Sequence, residues 1–361
     1  MSLNNKAVNS NKKILIVGDW HSDIYEKPLY NTFKELGLVV SSFKWFTYFN
    51  NTNTKYFKSL NFIFNFFIKF QNKFLFGPLI NRLNRDFIEK VNSFNPDIIF
   101  LYRPSHIQLR TIKVIKNNNR YITCYHNDDP FNDYWLFQRH YLSIVKYMNI
   151  NYVYREKNIR DLSKIKIKSE VLLPYPNISN IFPIDCAEKK FDVIFIGHFE
   201  DDGRDNAIIK LINDKSISFM LYGTDWHKSK NYTYIQSKLG DIQPLYKEEY
   251  NAVLNSSKIA LCFFSKINND TYTRRTFEIP ASGTMLLSEY SIESANILEP
   301  NIEAVYFNSI EELVLQAKIY LADDNARIKI ANNGRSQVIK NHLPSRRAEQ
   351  ILDNYNHSNL T

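Results

Sequence analysis

Residues 191–213 read FDVIFIGHFEDDGRDNAIIKLIN: an apolar strand, an acidic loop behind Gly197, and a helix opening at Arg204. A strand that is apolar at nearly every position is covered on both faces, as in a parallel sheet between two layers of helices. The same alternation runs outward in both directions. Upstream, strands are expected at 13–18 (KILIVG), 38–45, 98–102, 121–125, 153–154 and 171–173, with helices at 27–36, 55–93, 105–118 and 135–148. Downstream, strands are expected at 218–222, 259–264, 285–288 and 304–307, with helices at 246–256, 273–281, 309–322, 324–341 and 345–356. The prolines from Pro174 to Pro183 interrupt the pattern and read as a linker. The expected fold class is therefore α/β, with two doubly wound Rossmann-like domains facing a central cleft. Their boundaries are expected at 1–180 and 181–344, with a C-terminal helix or tail at 345–361 that packs back toward the first domain.

A length of 361 residues is long for a single core, and 44% hydrophobic with 23% charged residues is ordinary for a soluble globular protein. The wealth of Phe, Tyr, Lys, Asn and Ile partly reflects AT-rich codons, so composition is a poor guide to activity. Cys124, Cys186 and Cys262 are far apart and form no CxxC or Cys/His metal spacing. They read as structural thiols in a reducing cytosol. The polar N-terminus leads straight into a strand, so no signal peptide is expected. The most apolar stretch, FIFNFFI at 62–68, falls well short of the ~20 residues of a membrane helix. Charge is uneven: residues 1–180 hold 26 basic against 13 acidic side chains, and the remainder 20 against 24. Either biased codon usage or a distinct anionic partner for the first half accounts for this. The mixture of Phe, Tyr and Trp with Lys at 43–76 reads either as aromatics packed on the sheet or as a helix lying on an anionic membrane. No nucleic-acid recognition motif accompanies it, and no nucleic-acid partner is expected.

Ligands in such sheets sit beyond the carboxyl ends of the strands. The residues that follow strands are therefore the candidates. In RRTFEIPASGTMLLSE, residues 274–289, two arginines and a carboxylate lead through a small-residue turn into an apolar run. Arg274 and Arg275 stand about 100° apart on a helix, so one of them at most is expected to face a given phosphate. Glu278 suits sugar or ribose hydroxyls, and otherwise reads as an exposed helix carboxylate. Ser282, Gly283 and Thr284 form a turn that would let a ligand approach the backbone. Gly197 and Arg204 bracket the loop GHFEDDGR, where a cation at a helix start calls for an external anion. Glu200, Asp201 and Asp202 are alternatively a metal site or solvated acids, with Asp202 as a helix cap. Tyr222 and Gly223 end another strand. In HNDDPF, His126 with an ordinary pKa, or Asp128 or Asp129, is the candidate base, or else Asn127 and Asp128 cap a turn. Asp19, Trp20 and His21 follow the first strand, with Trp20 stacking on a sugar ring or packing.

FEIPASGTMLLSEYSIE at 277–293, with ADDNARIKIANNGRSQVIKNH at 322–342, resembles the C-terminal half of CgeB-like glycosyltransferases, relatives of the group 1 family with the GT-B fold. FDVIFIGHFEDDGRDNAIIKLI resembles that family's strand and phosphate loop, and residues 154–184 its entry into the second domain. The likeness covers 190–352, while the first third matches in pattern alone. It implies sugar transfer from a nucleoside diphosphate sugar, with no cofactor and no bound metal. The expected acceptor is a glycan, lipid-linked or other cell-surface molecule, and the expected place a bacterial cytosol, with the basic, aromatic first half as the part that would touch the inner face of an anionic membrane. Glu278 matches the second of two acids, separated by seven intervening residues, that serve the donor. Asp270 stands at the first position, shorter than the family's glutamate. The other class of function compatible with this sequence is a catalytically silent GT-B protein that binds sugar or assembles a surface layer.

Overall fold

The computed structural model describes residues 11–50, 58–116, 120–131, 135–177 and 188–358. The chain divides into two units, residues 1–173 with 344–361, and residues 174–343. Residues 178–187 of the expected linker, and Cys186 with them, lie outside the described residues.

Among the described residues the first unit holds six strands: β1 (Lys13–Gly18), β2 (Val39–Lys44), β3 (Ile98–Tyr102), β4 (Tyr121–His126), β5 (Ile150–Val153) and β6 (Ser169–Val171). They form one sheet in the order β2-β1-β3-β4-β5-β6, and every pairing is parallel. The central strands β3 and β4 are buried at every position, as two-sided coverage requires. The crossovers are helices α1 (Glu26–Glu35), α2 (Lys58–Phe74), α3 (Pro78–Phe94), α4 (Leu109–Lys116), α5 (Trp135–Ile144) and α6 (Glu156–Lys164). The helical run expected over 55–93 is broken in two. Gly77, at φ +126, and Pro78, at the first helical position, end one helix and start the next.

The second unit holds β7 (Phe191–Ile196), β8 (Phe219–Tyr222), β9 (Ser257–Cys262), β10 (Met285–Glu289) and β11 (Val305–Phe307). Their order is β11-β10-β9-β7-β8, again parallel throughout. Helices α7 (Arg204–Asn213), α8 (Tyr232–Leu239), α9 (Lys247–Asn255), α10 (Arg275–Ala281), α11 (Ile292–Ile297), α12 (Ile310–Ala322) and α13 (Asp324–Asn341) cover it. The short helices α6, α8 and α11 escape a reading based on apolar periodicity, because each turns only one or two side chains into the core.

Helix α14 (Pro344–Ser358) belongs to the first unit. Its buried Ile351 and Leu352 pack inward, Arg347 Nε donates to the Leu173 carbonyl at 2.9 Å, and Asn354 Nδ2 donates to the Tyr152 hydroxyl at 2.9 Å and to Glu170 at 2.8 Å. The end of the chain thus runs across one face of the first sheet, from β6 and β5 past Tyr121 on β4 to Lys12 before β1, and packs on α1. The aromatic segment 43–76 divides: Phe43, Trp45 and Phe49 are core, whereas Phe66, Phe67, Phe70 and Phe74 on α2 stand exposed. Cys124 and Cys262 are buried free thiols whose pKa burial pushes up, and so inert.

Removing the fully buried Ile351 side chain (Ile351→Ala) is expected to cost about 3 kcal/mol of stability. Amide exchange should quicken in β5 and β6 and stay unchanged in β7 to β9; uniform quickening would show that α14 does not serve the first unit alone.

Candidate functional site

At the carboxyl edge of the second sheet, β7 and β8 end in two glycines whose backbones touch. Gly223, at φ +146, would carry a Cβ 1.9 Å from the Gly197 carbonyl oxygen, and a Cβ on Gly197 would strike the Phe195 ring at 2.5 Å. The Gly197 amide donates to Tyr222 O at 2.9 Å, and Trp226 Nε1 donates to Gly197 O at 2.9 Å. Both glycines therefore serve close packing at the strand ends. Half-buried Tyr222 has its phenol pKa raised by burial.

Arg204 opens α7, as expected, yet it does not look outward for an anion. It is buried and held from within: Nε and Nη2 grip Asp202 at 2.9 and 2.6 Å, Nη1 donates to His198 O at 2.9 Å, and Nη2 to Phe264 O at 3.3 Å. Its charge is met by Asp202 and by Glu200 at 3.5 Å. These acids neutralise a neighbour, and among the described residues no group of three or more His, Cys, Asp or Glu side chains is arranged to hold a metal ion. Glu200 also accepts from half-exposed His198 Nε2 at 2.8 Å. Burial alone would raise its carboxyl; His198, Ser265 and Arg204 together hold it well below the usual range.

Helix α10 sorts the segment that carries the two arginines. In a parallel sheet the helix after β9 must run back to the start of β10, so its first residues lie at the carboxyl edge and its last at the amino edge. Arg275 Nε accordingly donates to the carbonyl of Ile196, the last residue of β7, and no described residue takes up its two terminal nitrogens. Arg274 instead turns to Glu278, with Nη2 2.7 Å and Nε 3.2 Å from Oε1. Tyr250 on α9 donates its hydroxyl to Glu278 Oε2 at 3.1 Å. Glu278 is thus a buried, doubly bonded carboxylate, and the exposed-helix alternative is removed. The roles of the two arginines separate: one orients Glu278, the other offers a guanidinium at the strand ends. Asp270 lies half-buried in the loop between β9 and α10, its amide on Ser265 O at 2.9 Å.

Ser282, Gly283 and Thr284 fall at the opposite edge, which corrects their assignment to the donor. Ser282 Oγ donates to Ile279 O at 2.7 Å and Thr284 Oγ1 to Leu254 O at 2.6 Å, so both hydroxyls satisfy backbone. Gly283, at φ +81, borders a cavity of about 270 Å³ lined by Lys189, Lys258 and Arg327, near the starts of β7 and β9. The turn stops α10 and starts β10.

In the first unit, the residues after β1, β3 and β4 gather charge. Asp19 Oδ1 accepts from the His21 amide at 3.2 Å and lies 2.9 Å from His21 Nδ1. Trp20, at φ 58, packs edge-on to Tyr30 with Lys44 over its ring, so packing occupies the ring that a sugar would stack on. His126 is buried, with Nδ1 3.0 Å from the Asp128 carbonyl. Burial pulls its pKa well below the ordinary imidazole value, contrary to expectation, and leaves it neutral at pH 7. A carbonyl only accepts, so Nδ1 carries the proton and Nε2 the lone pair. Asp129 is taken up by the Phe131 amide at 3.0 Å, Asn158 at 2.8 Å and Lys157 at 3.0 Å. Burial alone would raise its pKa, but these donors hold it low. Asp128 is half-buried, the more accessible of the two acids, and pairs with Arg103 at 3.0 Å.

Four participants were not foreseen: His198, Tyr250, Arg103 and Glu26. Arg103 directly follows β3 and His198 stands two residues past β7, which was a usable signal. Glu26 gave none, since an acid in the first turn of a helix ordinarily faces solvent. Here it is buried, its Oε1 accepting from the Trp20 amide at 3.3 Å and its Oε2 without a partner among the described residues. Burial, and then Asp19, raise its pKa from 4.5 to about 7.

Comparison with known proteins adds a likeness over part of the chain, and a fold. Residues 204–353 match the family model described as glycosyl transferase-like. No curated protein sequence matches the chain. Sucrose-phosphate synthase from Thermosynechococcus elongatus superposes with a TM-score of 0.68 at 10% identity, over 96% of this chain and 98% of that one. TarM superposes at 0.67 and 10%, over 96% and 99%. HepE of Anabaena, solved with UDP and glucose, superposes at 0.63 and 10%, over 95% and 98%. The fold is GT-B, with two Rossmann-like domains.

Replacing Arg204 by alanine strands buried carboxylates and should cost about 3 kcal/mol, read by tryptophan fluorescence during denaturation; a loss below about 1 kcal/mol would show that the guanidinium does not organise the loop. For Glu26 the sign follows from its raised pKa: the stability it contributes is whole below 4.5 and is lost as pH rises through about 7. The stability of the wild type relative to Glu26→Gln should fall across that window by at most about 3 kcal/mol. A constant difference would show that Glu26 does not titrate there.

Proposed function

We propose that this chain is a glycosyltransferase of the CgeB-like branch, which takes a sugar from a nucleoside diphosphate sugar held by the second unit and delivers it to a glycan or lipid-linked acceptor on the first. The observation that carries this reading is the Arg274–Glu278–Tyr250 arrangement at the head of α10, within the stretch matched to the glycosyl transferase-like family. A carboxylate fixed from both sides has one orientation to offer, and a ribose presents adjacent hydroxyls to such an acceptor. Arg275 supports diphosphate binding: its Nε is anchored on β7, and its terminal nitrogens remain for a two-point grip on phosphate oxygens. As the sugar leaves, negative charge grows on that diphosphate, and a fixed guanidinium stabilises it without a metal ion.

On the acceptor side, His126 Nε2 holds a lone pair, and half-buried Asp128, two residues on, is the other proton acceptor. A neutral imidazole with a depressed pKa is already in its basic form across the physiological range, so a rate dependent on His126 is expected to stay level between about pH 6 and pH 8. A fall through that interval would move the role to a group with an ordinary pKa.

Calorimetric titration with uridine, guanosine and adenosine diphosphates tests the donor assignment. One of them should bind, and Arg275→Ala should weaken it roughly 10- to 100-fold by removing charge-assisted hydrogen bonds. Glu278→Gln should weaken the nucleoside and the diphosphate alike, because it alters the ribose contact. Binding of none of them would overturn the enzyme reading in favour of a sugar-binding or surface-assembly protein.

A further inference from the structure

Helix α2 presents an aromatic ridge that the activity proposed above does not use. Phe66, Phe67, Phe70 and Phe74 are 59%, 56%, 43% and 46% exposed, and Phe76 just beyond the helix is 72% exposed. At 100° per residue the four helical rings span an arc of about 100°. Their centroids run in series, 6.1 Å from Phe66 to Phe67, 6.4 Å from Phe66 to Phe70 and 4.5 Å from Phe70 to Phe74. Ile68, on the opposite side of the helix, is buried in the core of the first unit. The helix is therefore anchored by its back, and its apolar front faces solvent. Large contiguous apolar patches on a soluble surface mark a binding face.

The charge around this face selects the occupant. Lys69 and Lys73 flank one side of the ridge, and both are exposed. Between Glu35 and Asp86 the chain has no acidic residue and seven basic ones. A second copy of the chain would bring like charge against like charge. An anionic lipid bilayer offers the complementary pair, hydrocarbon for the rings and phosphate headgroups for the ammonium groups. Among the described residues no helix is long and apolar enough to cross a membrane, so contact through this helix would lie in the interface plane.

We propose that Phe66, Phe67, Phe70, Phe74 and Phe76, with Lys69 and Lys73, dock the first unit on an anionic lipid bilayer. The rings enter the acyl boundary, and the lysines stay at headgroup level. This holds whether or not the chain transfers sugar.

Sedimentation of the full chain with vesicles tests it, using phosphatidylcholine alone and phosphatidylcholine mixed with phosphatidylglycerol. The chain is expected to pellet with the mixed vesicles alone. Lys69→Gln with Lys73→Gln should lower the partition coefficient roughly 30-fold. Phe70→Ser with Phe74→Ser should lower it at least as far, with melting temperatures unchanged because these side chains are exposed. Should the serine variant melt lower, Phe70→Trp provides the second reading: its fluorescence should be quenched by brominated acyl chains in mixed vesicles. Equal pelleting with neutral vesicles, pelleting with neither, or an unquenched tryptophan would overturn the proposal. A dimer in sedimentation equilibrium that the serine variant disperses would assign the ridge to a second copy instead.

Discussion

The carboxyl edge of the second sheet is organised around one buried guanidinium. Arg204 has donors in every direction of its plane and no acceptor, and its burial obliges each of them to find oxygen. It finds Asp202, the His198 carbonyl and the Phe264 carbonyl, and in doing so ties the loop after β7 to the loop after β9. That tie lets Glu200 remain a carboxylate while buried, and Glu200 in turn holds His198 at the rim. Beside it the backbones of Gly197 and Gly223 meet with no room for a side chain. The edge is thus tied by hydrogen bonds and close packing within the protein itself.

A second constraint acts through direction. Because every strand is parallel, each helix must carry the chain from the carboxyl edge back to the amino edge. Seven residues of α10 span about 10 Å, enough to place Arg275 and the Ser282–Thr284 turn at different edges of one sheet. In sequence they look like parts of one motif. In the fold the arginine and Glu278 belong to the strand ends, whereas the turn belongs to the packing that launches β10. Adjacent arginines separate by the same geometry, one toward β7 and one toward Glu278.

The first unit shows what a linear reading misses. Glu26 stands in a helix start, where an acid normally meets water, and nothing around it in sequence marks it as buried. Its burial depends on Gly18, where any side chain would collide with the Glu26 carboxyl. His126 was legible as a residue after a strand, but its depressed basicity comes from burial beside Tyr141 and the neighbouring strands. The phenylalanines of α2 were legible as an aromatic run. That Phe66, Phe67, Phe70 and Phe74 face solvent depends on Ile68 turning the opposite side of the helix inward.

By itself, the sequence determined the α/β class, the two parallel sheets, most strands, and the position of Arg204, Arg275, Glu278 and His126 near strand ends. Those features follow from apolar runs and their spacing, which act over a few residues and are written locally. Tertiary structure alone decided which charges cancel one another, which edge of the sheet each end of α10 reaches, and which carboxyls lose their water. These depend on distances between segments far apart in the chain, such as Arg204 to Phe264 or Tyr250 to Glu278. Burial and pairing set an ionisable group's charge and availability, and both arise only when the segments meet.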